Sequence, residues 1–515
     1  MLRGILTVGA WTMASRILGF VRDILIASRL GTGMVADAFF VALRLPNLFR
    51  ALFAEGAFAA AFVPLFTGTL AADGRTAARE IAEGALAWMV VTLAVLSVLG
   101  VVFMPQVMTV LAPGFGDEPG KLALTVELTR ITFPYLLLIC VTGLLAAVLN
   151  GLDRYAFGAG APVLFNLCLM GALLFGSDRL ETPGHALAYG VLAAGLAQLA
   201  LTAWGCSHAG MPLRLRLPRF TPAIRTLMAR MGPGTIGAGV TQLNLLIGVV
   251  IASWLPEGSI SVLYYADRVN QLPLGVIGTA VGTALLPALS RAVRTGAPGE
   301  AQSRLNRAIE FACLLTLPAA VALVVSAQPI VEVLFVRGAF AADEATRTAW
   351  CLAAYAVGLP AYVLVKVLAP GFFSRGDTAT PVKIAAVAVA TNIGLALSLM
   401  GPLGAPGLAL STALAAIVNA GLLGAILARK GQLTPDARLL RRLPRTMLAA
   451  ATMGLALWAV QDRVFAAALD AQGWRWLALG AVVASGGAVF AIAGRLLSAY
   501  DLRELRSALQ RRRAT

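Results

Sequence analysis

Charged side chains stand where an otherwise apolar chain should carry none. In SRILGFVRDILIASRLG, Arg16, Arg22, Asp23 and Arg29 interrupt the first apolar run, and ADAFFVALRLPNLFRALFAEGAF carries Asp37, Arg44, Arg50 and Glu55. Asp267 and Arg268 fall in YYADRVNQLP, and Lys366 in YVLVKVLAPG. A charge at the centre of a bilayer costs roughly 2.5–3.5 kcal/mol on insertion scales, so such groups turn to a bundle interior or a watery cavity and pair there. Arginine suits a phosphate, because its planar fork donates two parallel hydrogen bonds and does not lose its proton. Arg16, Arg22, Arg50 and Arg268 are therefore candidate ligands for an anionic headgroup, in an electropositive cavity between two helical lobes. Asp23, Asp37, Glu55, Asp267 and Lys366 are candidate supporting or gating groups, the aspartates orienting arginines rather than touching substrate. The competing reading is a set of ion pairs that only fix packing: Arg22–Asp23, Arg268–Asp267 and Glu55–Lys366. Arg29 and Arg44 read as side chains that snorkel to an interface.

Helical geometry limits how these groups converge. At 100° per residue Arg16 and Asp23 share a face, while Arg22 lies about 120° away. Gly19, and Pro46 between Arg44 and Arg50, are positions where bends could re-aim them.

The elements that must position these charges follow from composition. Of 515 residues 59% are hydrophobic and only 13% charged, about half the charged fraction of a soluble chain, which marks an integral membrane protein. The net charge of +16 lies in short connections and reads as membrane topology rather than nucleic-acid binding. Five cysteines in apolar surroundings, with no CxxC spacing, read as small buried hydrophobes. His185 and His208 are the only histidines, so no metal site or catalytic triad is expected, and no hydrolase or nucleotide motif occurs. The first apolar run lacks a small-residue cleavage site and is expected to be retained as a span.

A span needs about 20 apolar residues, and the chain offers about fourteen such segments, from 5–29 to 474–498. They must be helices, since lipid satisfies no backbone group and no barrel-like alternation is visible. Alternate connections are arginine-rich, as at Arg75 and Arg79, at Arg214 to Arg230, and at Arg429 to Arg445. The others are acidic or neutral: GFGDEPGK, SDRLETPG, WLPEGS, AADEATR and GPLGAPG. That bias puts both termini in the cytoplasm and the acidic loops on the far, solvated side.

Internal echoes suggest a duplication. FPYLLLICVTGLLAAVLNGLDRYAFGAGAPVLFN from Phe133 resembles LPAYVLVKVLAPGFFSRGDTATPVKIAAVAVATN from Leu359, and the segment at Ala36 resembles that at Ala266. The predicted fold is an all-α polytopic membrane protein. It has an N-terminal lobe at 1–210, a pseudo-symmetric C-terminal lobe at 220–430, six helices in each, and a helix pair with a basic tail at 440–515. Parallel halves of this kind form transporters with a site near the midplane.

The stretch from SRILGFVRD through GTGMVADAFFVALRLPNLFRALFAEGAFAAAFVPLF resembles the MurJ (MviN) family of lipid II flippases, within the MOP exporter superfamily. YYADRVNQLPLGVIGTAVGTALLPALSR and VKVLAPGFFSRGDTATPVK resemble it too. The resemblance implies a transporter, not an enzyme, of the bacterial inner membrane. It would carry lipid II, an undecaprenyl pyrophosphate-linked precursor of peptidoglycan, to the outer leaflet by alternating access. The family's cavity arginines match Arg16, Arg22, Arg50 and Arg268, and an acidic–basic gate falls on Glu55 and Lys366. The last two segments would hold the polyprenyl tail. Ala51 departs from the second basic residue that many relatives carry there. Some relatives bind sodium, but only Asp377 matches such a site, so no ion or cofactor is expected. Membrane lipids and the cell-wall synthesis machinery are implied partners of a monomer, and nucleic acid is not. Two rivals remain: an integral-membrane enzyme acting on polyprenyl phosphates, which would need clustered carboxylates, and a MATE-like antiporter, which would favour membrane-embedded carboxylates over arginines.

Overall fold

The computed structural model describes residues 2–51, 57–468 and 474–501, and among these all regular structure is helical. The chain opens with α1 (Leu2–Leu30), α2 (Met34–Arg50), α3 (Ala57–Ala72), α4 (Gly74–Val102) and α5 (Met104–Leu111). Next come α6 (Lys121–Thr132), α7 (Tyr135–Gly151), α8 (Tyr155–Gly176), α9 (Pro183–His208) and α10 (Pro222–Ser253). After these stand α11 (Ser259–Arg294), α12 (Pro298–Val325), α13 (Ala327–Phe335), α14 (Ala342–Val357) and α15 (Leu359–Phe373). The last are α16 (Ala379–Leu403), α17 (Ala405–Arg429), α18 (Ala437–Ala468) and α19 (Trp474–Leu496). Ten helical stretches among the described residues are long and apolar enough to cross a membrane, and Phe58–Ala72 and Asn244–Ser253 are shorter apolar helices. The charge-bearing α1 and α2 are not among the ten.

By packing, the chain divides into two compact units: Met1–Ser261 with Arg337–Phe340, and Val262–Val336 with Ala341–Thr515. In the first unit α8 packs on α1 and α9, α2 on α6, and α3 on α4 and α7. Lipid tails are as apolar as leucine, so close packing rather than water exclusion holds such helices together. Gly190 shows this: a Cβ there would stand 2.7 Å from that of Ala172, so α9 approaches α8 only because the side chain is missing. Phe58, Phe62 and Phe66 stack at successive turns of α3, with centroids 5.1 and 5.6 Å apart, against Ala78, Ala82 and Leu144.

Neither expected bend interrupts its helix. α1 runs through Gly19 and α2 through Pro46. Pro46 has no N–H for the carbonyl of Ala42, and the Thr132 hydroxyl of α6 donates to that oxygen instead, at 3.2 Å. A neighbouring helix thus satisfies the acceptor that proline orphans.

The irregular segment from Met211 to Thr221 has a definite course because α4 holds it. Glu83, fully buried, accepts from the Arg214 backbone N–H at 3.0 Å and from Arg79 at 2.9 Å, and pairs with Arg216 at 2.6 Å. Trp88 donates to the Arg219 carbonyl at 3.2 Å and packs at a tilt against Phe220, ring centroids 4.3 Å apart.

In the second unit α16 packs on α17, α12 on α15 and α18, and α18 on α19. Ile277, Leu289, Leu305, Val367, Phe372 and Leu423 form its main core, while Met453, Leu457 and Val482 join α18 to α19. The start of α18 is fastened to α12 by charge. Glu310 accepts from Arg442 at 2.6 Å and Arg438 at 3.1 Å and pairs with Arg307, which also pairs with Asp436.

Candidate functional site

The charges of the first helix are held by α8. Arg22 and Asp23 are buried, at 7% and 3% exposure. The Arg22 guanidinium donates to one oxygen of Asp23 through Nε at 3.0 Å and Nη2 at 2.7 Å, and to Asn166 Oδ1 through Nη1 at 3.0 Å. Asn166 is itself fixed, its amide nitrogen donating to the Ser15 carbonyl at 2.9 Å. Gly19 faces that side chain, with Asn166 Nδ2 3.5 Å from where a Cβ would stand. Phe165 lies 5.6 Å from the guanidinium carbon. Arg22 is therefore a fork in one fixed orientation, its charge largely balanced by the adjacent carboxylate. Arg16 is exposed on the same helix, as are Arg29, 4.0 Å from Asp178, and Arg44 on α2. Arg50, half-buried at the end of α2, donates to Asn47 at 3.3 Å. Glu55 lies outside the described residues.

Asp37 has partners on both carboxylate oxygens. At 1% exposure its Oδ1 accepts from the backbone N–H and the hydroxyl of Ser261, both at 2.8 Å. Its Oδ2 accepts from the Gly258 N–H at 2.8 Å and pairs with Lys121 at 3.1 Å. The first N–H groups of a helix have no partner within it and carry the positive end of its dipole, so a carboxylate there is favoured. Glu257 returns the arrangement by accepting the Met34 N–H at the start of α2, at 2.5 Å. Only glycine fits at 258: its φ is +83°, and a Cβ would come within 2.2 Å of the Thr32 carbonyl. Lys121 is also buried, at 1%, bound to Glu118 at 2.9 Å and seated 4.3 Å from the centre of the Phe115 ring. The loop GFGDEPGK, read from sequence as solvated surface, thus ends on a buried lysine.

In the second unit, half-buried Arg268 donates to the Tyr264 hydroxyl at 2.9 Å, one turn back on α11, and lies 4.8 Å from that ring. Asp267 accepts from Gln271. Lys366, exposed on α15, lies against α11, its Nζ 3.0 Å from where a Cβ of Gly278 would be. Asp377 is engaged at the start of α16, accepting from Thr380 N at 3.0 Å, Thr380 Oγ1 at 2.8 Å and Lys430 at 2.8 Å. The Lys430 hydrogen bond first, then those of Thr380, hold its carboxyl down at about 2.

The structure joins Arg22 to Asp23, as their adjacency allowed. It also supplies three partners that the sequence pattern did not indicate: Asn166, Lys121 and the N–H groups of Gly258 and Ser261. Asn166, a lone amide in the apolar run APVLFNLCLM, was the one visible signal.

This all-helical fold is shared with membrane transporters of the MOP superfamily. A solved structure described as lipid II flippase MurJ in an inward closed conformation superposes with TM-score 0.79 at 22% identity, covering 95% of this chain and 98% of that one. An inward-facing MATE family multidrug transporter gives 0.69 at 14%, covering 83% and 98%. Sequence is more specific. Residues 26–469 match the family Lipid II flippase MurJ. The chain is 46% identical over 461 residues to the probable lipid II flippase MurJ of Rhizobium meliloti (strain 1021), covering 88% of this chain and 86% of that protein. It is 38% identical over 466 residues to the lipid II flippase MurJ of Burkholderia cenocepacia, covering 88% and 89%. The chain belongs to the MurJ family. It is accordingly a multi-pass inner-membrane protein and a transporter rather than an enzyme.

Proposed function

We propose that the chain carries lipid II from the cytoplasmic to the outer leaflet by alternating access, its pyrophosphate held by the arginines. The family match across residues 26–469 carries this reading. Arg16, Arg50 and Arg268 supply the attracting charge. Arg22, oriented and largely neutralised by Asp23 and held by Asn166, joins the set by exchanging part of that pairing for phosphate. Asp37, Asp267, Glu55 and Lys366 support or gate this set. The chain works as a monomer with about fourteen spans, two six-helix lobes and a closing helix pair that takes the polyprenyl tail. The arginine bias of alternate connections places both termini in the cytoplasm, where the cell-wall synthesis machinery supplies the substrate.

Depletion in cells, followed by adding a membrane-impermeant enzyme that cleaves lipid II, tests this. Lipid II should accumulate in the protected, inner-leaflet pool, and wild-type protein but not R16A or R268A should release it, at equal expression. Undiminished exposure of lipid II after depletion refutes the flippase reading. Full release by both variants refutes the arginine assignment alone.

A further inference from the structure

Outside the arginine set, α6, the turn before α9 and the first turn of α9 bring a histidine and two carboxylates together. His185 is buried at 5% exposure, and its Nδ1 lies 2.9 Å from Thr182 Oγ1, the residue that caps α9. That contact directs the other ring nitrogen outward. Nε2 has no hydrogen-bond partner and points at Glu127 Oε1, 3.4 Å away, and Glu181 Oε2, 3.7 Å away. The three ligand atoms lie within 4.8 Å of one another. A tetrahedral zinc with bonds of about 2.0–2.1 Å needs ligand atoms about 3.3 Å apart, so the imidazole-to-carboxylate distances already approach coordination.

We propose that His185, Glu127 and Glu181 bind one divalent transition-metal ion of the zinc type, with water as fourth ligand. An imidazole with two carboxylates suits zinc, whereas calcium and magnesium call for an all-oxygen shell. Thr182 holds the ring plane, and with Nδ1–H donating to its hydroxyl it leaves Nε2 to bind metal, as the outer partner of a metal-bound histidine does. The carboxylates are exposed, at 56% and 80%, and open the site to solvent, while the buried ring forms its floor. Bound metal ties α6 to the turn before α9. Gly184 packs there on Val35 of α2 and Leu128 of α6, so the tie lies beside the helix that carries Asp37.

The test uses full-length protein purified without a polyhistidine tag, stripped with chelator and titrated with zinc. Bound metal and thermal unfolding in detergent are the readouts. One zinc per chain is expected, with a raised unfolding temperature. H185A should lose it, E127Q and E181Q should bind at least about tenfold more weakly, and H208A, which removes the exposed histidine, should bind normally. T182V should weaken binding by about 10–100-fold with all three ligands intact. If H185A fails to fold, E181Q decides, since its side chain is exposed. No bound zinc, binding unchanged in E127Q and E181Q, or loss in H208A alone overturns the proposal.

Discussion

Replacing Asp37 by asparagine tests whether the buried carboxylate locks the start of α11 to α2. The change is isosteric, so its effect is electrostatic. Asp37 Oδ1 serves two donors on Ser261, and Oδ2 serves the Gly258 N–H and Lys121. An amide group turned toward Oδ2 meets the Gly258 N–H and the ammonium. Turned the other way it meets the Ser261 N–H, and its remaining oxygen no longer neutralises Lys121. One backbone donor is orphaned either way, and Lys121 keeps only Glu118. Removing one partner of a buried ion pair costs about 3–5 kcal/mol. At about 1.4 kcal/mol per tenfold, amide hydrogen exchange at Gly258 and Ser261 should speed up by roughly two to four powers of ten. Exchange followed by mass spectrometry on peptides covering 254–263 reads this directly. K121M should relieve part of the defect, so that D37N with K121M costs less than the two changes summed. Unchanged protection in D37N, or strict additivity in the double variant, refutes the account.

Two further changes probe fastenings of the second unit. E310Q takes the shared carboxylate from partly exposed Arg307, Arg438 and Arg442 while Arg307 keeps Asp436, so the start of α18 should loosen from α12 at a cost of about 1.5–3 kcal/mol; a disulfide engineered between α12 and α18 should form more slowly than in the parent, and equal rates would refute the fastening. K430M removes the first cause of the low Asp377 carboxyl. Because the folded value lies below the ordinary one, this contact stabilises fully above pH about 4 and is lost as pH falls through about 2. The stability difference between wild type and K430M should therefore hold at neutral pH and shrink in that acid window, and a difference growing toward acid would contradict it.

Much of the architecture is legible from the chain alone because it is local. Hydropathy and length decide that a segment is a helix in lipid. The apolar segments read that way fall largely on helix where the structure describes them, although four expected as single spans are each two helices, broken at Phe103, at Phe133 and Pro134, at Ser326 and at Gly358. Arg22 and Asp23 are sequence neighbours, so their pairing was foreseeable. Membership of the MurJ family also rests on sequence, through long motifs and 46% identity to a relative. Tertiary structure decided which remote group meets which charge. Asn166 reaches Arg22 because α8 lies on α1, and Lys121 is buried because its loop folds under Asp37. Glu127 meets His185 only because α6 lies beside α9. Period and composition specify which face of a helix is polar, but the rotation and neighbours of that face come from packing against segments far along the chain, which no local pattern encodes.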